Sequence, residues 1–337
     1  MLVVEEMKYE NMLKMTAHLY NNNYYLDSED GVKITFKELR FIEPAGAILF
    51  LSTMDKINEL QIPYEFEPID KYKDKSAISY GETMGIFQQI GLSDAPSYSS
   101  GLTYLAPKKV EIKKVYEDLE GSLEQYFEQI SELIVLKALE LVDTNVVESV
   151  NDLFIFVVRE MVRNIFDHAQ APHYYYALQS YKASNCVEVV IADIGVGLLA
   201  TIPFDIEERW FKKNTDEEAI KKSLIPGLSA FSNHSYAPED YKNSGYGLTL
   251  VKKIIQQTEG TFSIASGTKS ITYNAEEELV NDCDIKGTII RMKINLNKLK
   301  YVDFQEVLRG AELEARDEGF IQTPSTASKT VKSIREN

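Results

Sequence analysis

The run CVEVVIADIGVGL, from Cys186 to Leu198, constrains the fold more than any other stretch of this chain. It is short, apolar and rich in β-branched residues, so it reads as a strand. The strand ends on Asp193 and runs directly into Gly195 and Gly197. Glycine at such places permits positive φ and close approach of the backbone to another group. An Asp-x-Gly-x-Gly alone is an ordinary turn composition. Its neighbours along the chain raise its meaning.

Upstream lies NDLFIFVVREMVRNIFDHA, beginning at Asn151. At helical spacing, Phe154, Val157, Val158, Met161, Val162 and Ile165 fall on one face, and Glu160, Arg163, Asn164, Asp167 and His168 on the other. Glu160 and Asn164 are four apart, so both can meet one ligand, although a solvated helix face has the same pattern. Downstream, NSGYGLTLVKKIIQQTEG sets Gly245, Tyr246 and Gly247 before a helix whose apolar face carries Leu248, Val251, Ile254 and Ile255. Free amides at a helix start bind anions, and glycine there is also a common cap. Finally, KGTIIRMKI leads Gly287-Thr288 into another strand.

In this order and spacing the four stretches resemble the GHKL superfamily: gyrase, MutL-type repair proteins, heat-shock ninety chaperones and the histidine-kinase ATPase domain. The resemblance covers residues 110 to 298 and implies an α/β (α+β) fold, a two-layer α/β sandwich of the Bergerat type that binds ATP and Mg2+. It implies that Asp193 accepts a hydrogen bond from the adenine amino group, with Thr288 supporting the base through water and Gly195 and Gly197 letting it approach. Asn164 would hold Mg2+, and Glu160 would orient or deprotonate the attacking water or hydroxyl. The amides of Gly245, Tyr246, Gly247 and Leu248 would receive the terminal phosphates. Residues 199 to 244 would form the ATP lid, with a short helix in DEEAIKKSLIPGLSAF and with Lys242 and Asn243 as candidates to reach phosphate. Asp167 and His168 are candidates for magnesium-bound water or for the lid.

From Val32 to Pro68 the chain reads strand, loop, helix, strand, a second helix is expected from Thr83 to Ile90 with Gly91 as its stop, and Ser93 to Pro107 suits a boundary loop. This first unit, residues 1 to 105, resembles the STAS module of anti-sigma-factor antagonists on VKITF, FIEPAGAILFLSTM, IPYEF and GETMGIFQQIGL. Where that family carries a phosphoaccepting serine, this chain has Glu43-Pro44-Ala45-Gly46. A docking or sensing role is therefore expected. Recurring apolar residues from Val115 to Ile134 predict one helical region over Val110 to Leu141. The expected division is 1 to 105, a helical connector from 106 to 150, the ATP-binding unit from 151 to 300, and a C-terminal helix and tail from 301 to 337.

With 337 residues the chain can bury a sizeable core. Its formal net charge of -16 disfavours nucleic acid and anionic membranes as partners. Cys186 and Cys283 are the only cysteines, which indicates neither a disulfide scaffold nor a zinc site and suits a cytoplasmic protein. The longest apolar stretch, Ala45 to Leu51, is far short of the roughly 20 residues that span a bilayer. No histidine lies between Pro107 and Phe166, which counts against a histidine autokinase, and too little chain follows Thr288 for a gyrase-like transducer domain. Two expectations remain: a GHKL-type ATPase or Ser/Thr kinase acting on a regulatory protein partner in bacterial-type partner switching, or a nucleotide-gated interaction scaffold, either of which could work as a homodimer.

Overall fold

The structure, a computed structural model, describes residues 1–21, 31–72, 75–98, 100–142, 148–202, 214–228 and 245–317. The chain is mixed α/β. Its first part runs β1 (Leu2–Val3), β2 (Glu6–Met7), α1 (Tyr9–Asn21), β3 (Val32–Thr35), β4 (Phe41–Ile42), α2 (Pro44–Glu59), β5 (Tyr64–Phe66), α3 (Ser76–Thr83) and α4 (Ile86–Gln89). Then come β6 (Tyr104–Glu111), α5 (Ile112–Glu117), α6 (Leu123–Val142), α7 (Glu148–Asn164), β7 (His173–Tyr181), β8 (Cys186–Asp193), α8 (Leu198–Thr201) and α9 (Asp216–Ser223). The last part is α10 (Gly247–Gln257), β9 (Thr261–Ser266), β10 (Lys269–Tyr273), β11 (Glu278–Asp282), β12 (Thr288–Asn295), α11 (Leu296–Leu299) and α12 (Phe304–Asp317). Among the described residues no helix is long and apolar enough to cross a membrane.

A seven-stranded sheet in the order β11-β10-β9-β12-β8-β7-β6 forms the centre, with antiparallel neighbours throughout. Side chains alternate across a strand, and in the inner strands β7, β8, β9 and β12 both faces are buried. Val187, Val189 and Ile191 of β8 join one core with Phe154 and Val157 of α7 and Leu250 and Ile254 of α10. Val190, Ala192 and Ile194 join a second core with Ile48 and Phe50 of α2. That is why β8 reads as a nearly continuous apolar run although its sheet is antiparallel.

The first part of the chain supplies the second face. Two short parallel sets, β1-β3-β5 and β2-β4, flank α2. Every residue of α2 from Pro44 to Met54 is buried, as expected of a helix that is apolar all round. Gly46 allows α2 to press against β2, since a Cβ there would stand 1.8 Å from the Met7 carbonyl oxygen.

One charged cluster ties this layer to the sheet. Arg291 of β12, itself buried, reaches Glu188 of β8 through Nε at 3.1 Å, Glu43 through Nη2 at 3.2 Å and Glu10 through Nη1 at 3.3 Å. Its guanidinium lies 5.0 Å from the centre of the Tyr9 ring. Glu43 also accepts the Tyr9 amide at 2.6 Å. Burial pushes the Glu43 carboxyl up, and the neighbouring Glu188 adds to it while Arg291 opposes both. A second contact sits near the β6 edge, where Asp55 of α2 meets His173 Nε2 at 2.8 Å, the Tyr175 hydroxyl at 2.6 Å and Lys109 Nζ at 2.9 Å.

Three expected elements differ. The helix expected from Thr83 to Ile90 is broken: α3 ends at Thr83, Gly85 turns left-handed at φ 73, and α4 begins only at Ile86. The expected loop ends early, because Tyr104–Pro107 already belongs to β6; Pro107 is tolerated there by an edge position and a register shift between Leu105 and Lys108. The expected helix over Val110 to Leu141 is three pieces: the end of β6, then α5, then α6 after Gly121 at φ 114. The Gln125 amide and the Ser122 hydroxyl, with the Ser122 amide and the Gln125 side chain, form the reciprocal pair that starts α6.

Arg291→Met should leave Glu188 and Glu43 as buried carboxylates without their guanidinium. Urea denaturation is expected to register a loss of about 3–5 kcal/mol; a loss under about 1 kcal/mol would mean that the cluster does not hold the layers together.

Candidate functional site

The C-terminal end of α7, the end of β8, the start of α10 and the start of β12 converge on one cavity. It holds about 840 Å³ of empty space, open solvent included. Ile191, Ile264 and Ile290 of the sheet and Met161 of α7 give it apolar walls. Asn164, Asp193, Gly197, Gly245, Gly247, Leu248 and Thr288 all line it, as does His168. Glu160, Gly195 and Tyr246 do not belong to the lining.

Asp193 is 5% exposed. Burial raises its carboxyl to about 6, against the opposing pull of the Gly195 and Thr288 amides. The Gly195 amide donates to Oδ1 at 2.8 Å. Gly287, at φ 78, gives this carboxylate its room, because a Cβ there would stand 2.5 Å from Oδ1. Gly195 serves the loop's packing: α7 runs on into a π-helical turn over Ile165–Ala169, and a Cβ on Gly195 would stand 1.9 Å from the Ala169 carbonyl oxygen. That same carbonyl accepts the Val196 amide at 2.9 Å.

Glu160 is buried beneath the start of α10. A Cβ on Gly247 would lie 2.5 Å from its Oε2, so glycine there makes room for the carboxylate. Arg159 Nη2 stands 3.6 Å from Oε1, and Arg159 in turn faces Glu128 of α6 at 3.9 Å. Desolvation raises the Glu160 carboxyl, with Arg159 and Arg163 pulling it down. The Nδ2 atom of Asn164 is buried with no hydrogen-bond partner. Asp167 is held by Arg163 Nε at 3.2 Å, and burial lowers the His168 ring. Among the described residues no group of three His, Cys, Asp or Glu side chains could hold a metal alone.

Tyr246 points its ring away into the helical core, where burial and Glu312 of α12 raise its hydroxyl. The described residues between the two glycine boxes include α9. Thr215 and Glu218 cap α9 reciprocally, and Asp216 accepts the Thr268 amide at 2.9 Å and hydroxyl at 2.7 Å. The Gly227 amide donates to the Gly245 carbonyl at 3.1 Å and Thr249 Oγ1 to the Leu224 carbonyl at 2.7 Å. Lys212, Lys213, His234, Lys242 and Asn243 lie outside the described residues. His173 finds its partner in Asp55, away from the cavity.

Sequence reasoning missed Ser266, Thr201, Ser223 and the isoleucine walls. Ser266 ends a strand without any motif, and only the β9–β12 register sets it opposite Thr288. A scan against models of protein families finds no match to this chain, and a search of curated proteins finds none.

The raised Asp193 carboxyl means that its ionised form costs stability in the folded state. Below about pH 4 both states are protonated and the cost vanishes; it grows as pH rises to about 6 and then stays constant. Asp193→Asn is therefore expected to stabilise the chain at pH 7 by up to roughly 3 kcal/mol, a gain that fades as pH falls toward 4. Melting curves at both pH values check this; a variant that melts lower than the parent at pH 7 would contradict it.

Proposed function

We propose that this chain is a GHKL-type ATP-binding protein, a Bergerat-type unit joined to a STAS-like first unit, and that the cavity takes Mg-ATP. The observation that carries the reading is Asp193: a carboxylate kept buried at the end of a central strand, beside isoleucine walls, with a glycine where a side chain would crowd it. A buried acceptor of this kind suits a flat apolar base bearing an amino group. An apolar ligand without a donor would leave the charge supported by the Gly195 and Thr288 amides alone.

The donor set fits the metal as well. The buried Nδ2 of Asn164 has no partner, and rotating the amide by a half-turn exchanges it for the side-chain oxygen. Asn164 would then offer one oxygen to Mg2+, an ion that commonly takes few protein ligands together with phosphates. Bound there, Mg2+ would neutralise and orient the phosphates. Gly245, Gly247 and Leu248 at the start of α10 would offer amides to the terminal phosphates. Glu160 would accept the proton of an attacking water or protein hydroxyl at its carboxylate, and its raised pKa suits a base working nearer neutral pH.

A second reading, a slow nucleotide-gated scaffold, is favoured by one observation. Glu160 lies under Gly247 and beside Arg159 rather than in the cavity lining. Turnover then needs Glu160 to be uncovered, whereas binding does not. Under either reading the partner is a regulatory protein, a second copy of the chain being one candidate. The Glu43-Pro44-Ala45-Gly46 segment, occupied by Arg291 and β2, would not be the surface that receives it in this conformation.

Calorimetry of the full chain with Mg-ATP and Mg-GTP tests the base assignment. Asp193→Asn is expected to lose at least about tenfold in Mg-ATP affinity, the usual order for one buried hydrogen bond to a charged group; an unchanged affinity removes it. Glu160→Gln is expected to keep its Mg-ATP affinity while phosphate release or transfer falls by about 10² to 10⁴. Turnover within about twofold of the parent would leave the scaffold as the account.

A further inference from the structure

Ser266 is 1% exposed, at the last position of β9. Its hydroxyl accepts the Leu198 amide at 2.9 Å, donates to the Gly287 carbonyl at 3.0 Å, and lies 3.5 Å from the Thr288 hydroxyl. Three parts of the chain far apart in sequence thus meet at one oxygen. Leu198 opens α8, and the residue in the N-cap position there is Gly197, which has no side chain to cap with. Ser266 does the capping from a neighbouring strand. Gly197 is also tight on this side, where a Cβ would stand 3.0 Å from Ser266 Oγ, and its φ of 77 favours glycine.

Both groups that Ser266 holds belong to one end of the cavity. Leu198 and Thr288 line it, and Gly287 backs Asp193, where an added Cβ would stand 2.2 Å from the Asp193 carbonyl oxygen and 2.5 Å from Oδ1. The hydrogen bonds of the Ser266 hydroxyl go to Leu198, Gly287 and Thr288 and not to the start of α10. From this geometry we propose that Ser266 is the positioning residue of the base end of the cavity, locking the Gly287-Thr288 turn and the start of α8 at a fixed spacing around Asp193. It touches no ligand itself. Without Oγ, the Leu198 amide and the Gly287 carbonyl lose a shared partner that is itself buried, and the two walls are free to separate.

The inference rests on the nucleotide reading above, so its test must separate the base end from the phosphate end. The full chain is titrated calorimetrically with adenosine, Mg-ATP and Mg-tripolyphosphate. Ser266→Ala is expected to weaken adenosine and Mg-ATP by about tenfold while Mg-tripolyphosphate stays within about twofold. Ser266→Thr keeps the oxygen and should stay within about threefold of the parent for all three. Unchanged Mg-ATP affinity in Ser266→Ala overturns the proposal. So does a parallel loss of Mg-ATP and Mg-tripolyphosphate, or a Ser266→Ala chain that fails to fold, since either marks a general structural residue. A parent chain that binds none of the three ligands sinks the nucleotide reading itself, and that failure is distinct because it is the parent's.

Discussion

Burial of the inner strands of the central sheet on both faces is the constraint on which the rest of the structure depends. An antiparallel sheet can leave one face to water; this one covers one face with α6, α7 and α10, α12 packing in turn on α10, and the other with α1 and α2. Polar side chains on the strands must therefore find partners inside. Glu188, fully buried in the middle of β8, does so with Arg291, and Arg291 in turn draws Glu43 and Glu10 of the first layer onto the sheet. A buried ion pair of this kind is a weak source of net stability but a strong penalty for mispairing. It fixes how the first layer sits, and with it the side of the sheet left for the cavity.

The same two-sided burial sets the chemistry of the site. Asp193 ends β8 where the strand leaves the core, so its carboxyl is desolvated and raised to about 6. Glu160 is raised by desolvation as well, yet two arginines on its own helix hold it down. The two carboxylates thus differ in surroundings: one stands against backbone amides and apolar walls, the other inside a charged seam between α6 and α7. Such a division suits one group for recognition and the other for proton transfer.

Much of this was legible in the sequence where a local pattern carried it. The strand through Asp193, the helix bearing Glu160 and Asn164, and the helix after Gly247 each have a clear period, and the structure places them around one cavity. What was not legible depends on long-range pairing. Ser266 has no local signature and becomes important through strand register alone. Glu160 looked like an open polar face at helical spacing, yet the close approach of Gly247 covers it. The helix expected over Val110 to Leu141 failed because an apolar spacing of three or four also fits a strand followed by two helices; the Gly121-Ser122 break and the Ser122-x-x-Gln125 cap were the signals that would have divided it.

The proposed occupant of the cavity between α7, β8, α10 and β12 is an adenine nucleotide. Hydrogen–deuterium exchange of the full chain, with and without saturating Mg-ATP, tests it most directly. The account predicts slowed exchange in the amides of residues 193–198, 245–250 and 287–290, with the amides of α2 and β3 unchanged. Equal exchange at all three cavity segments with and without Mg-ATP, or protection confined to the first layer, would contradict it.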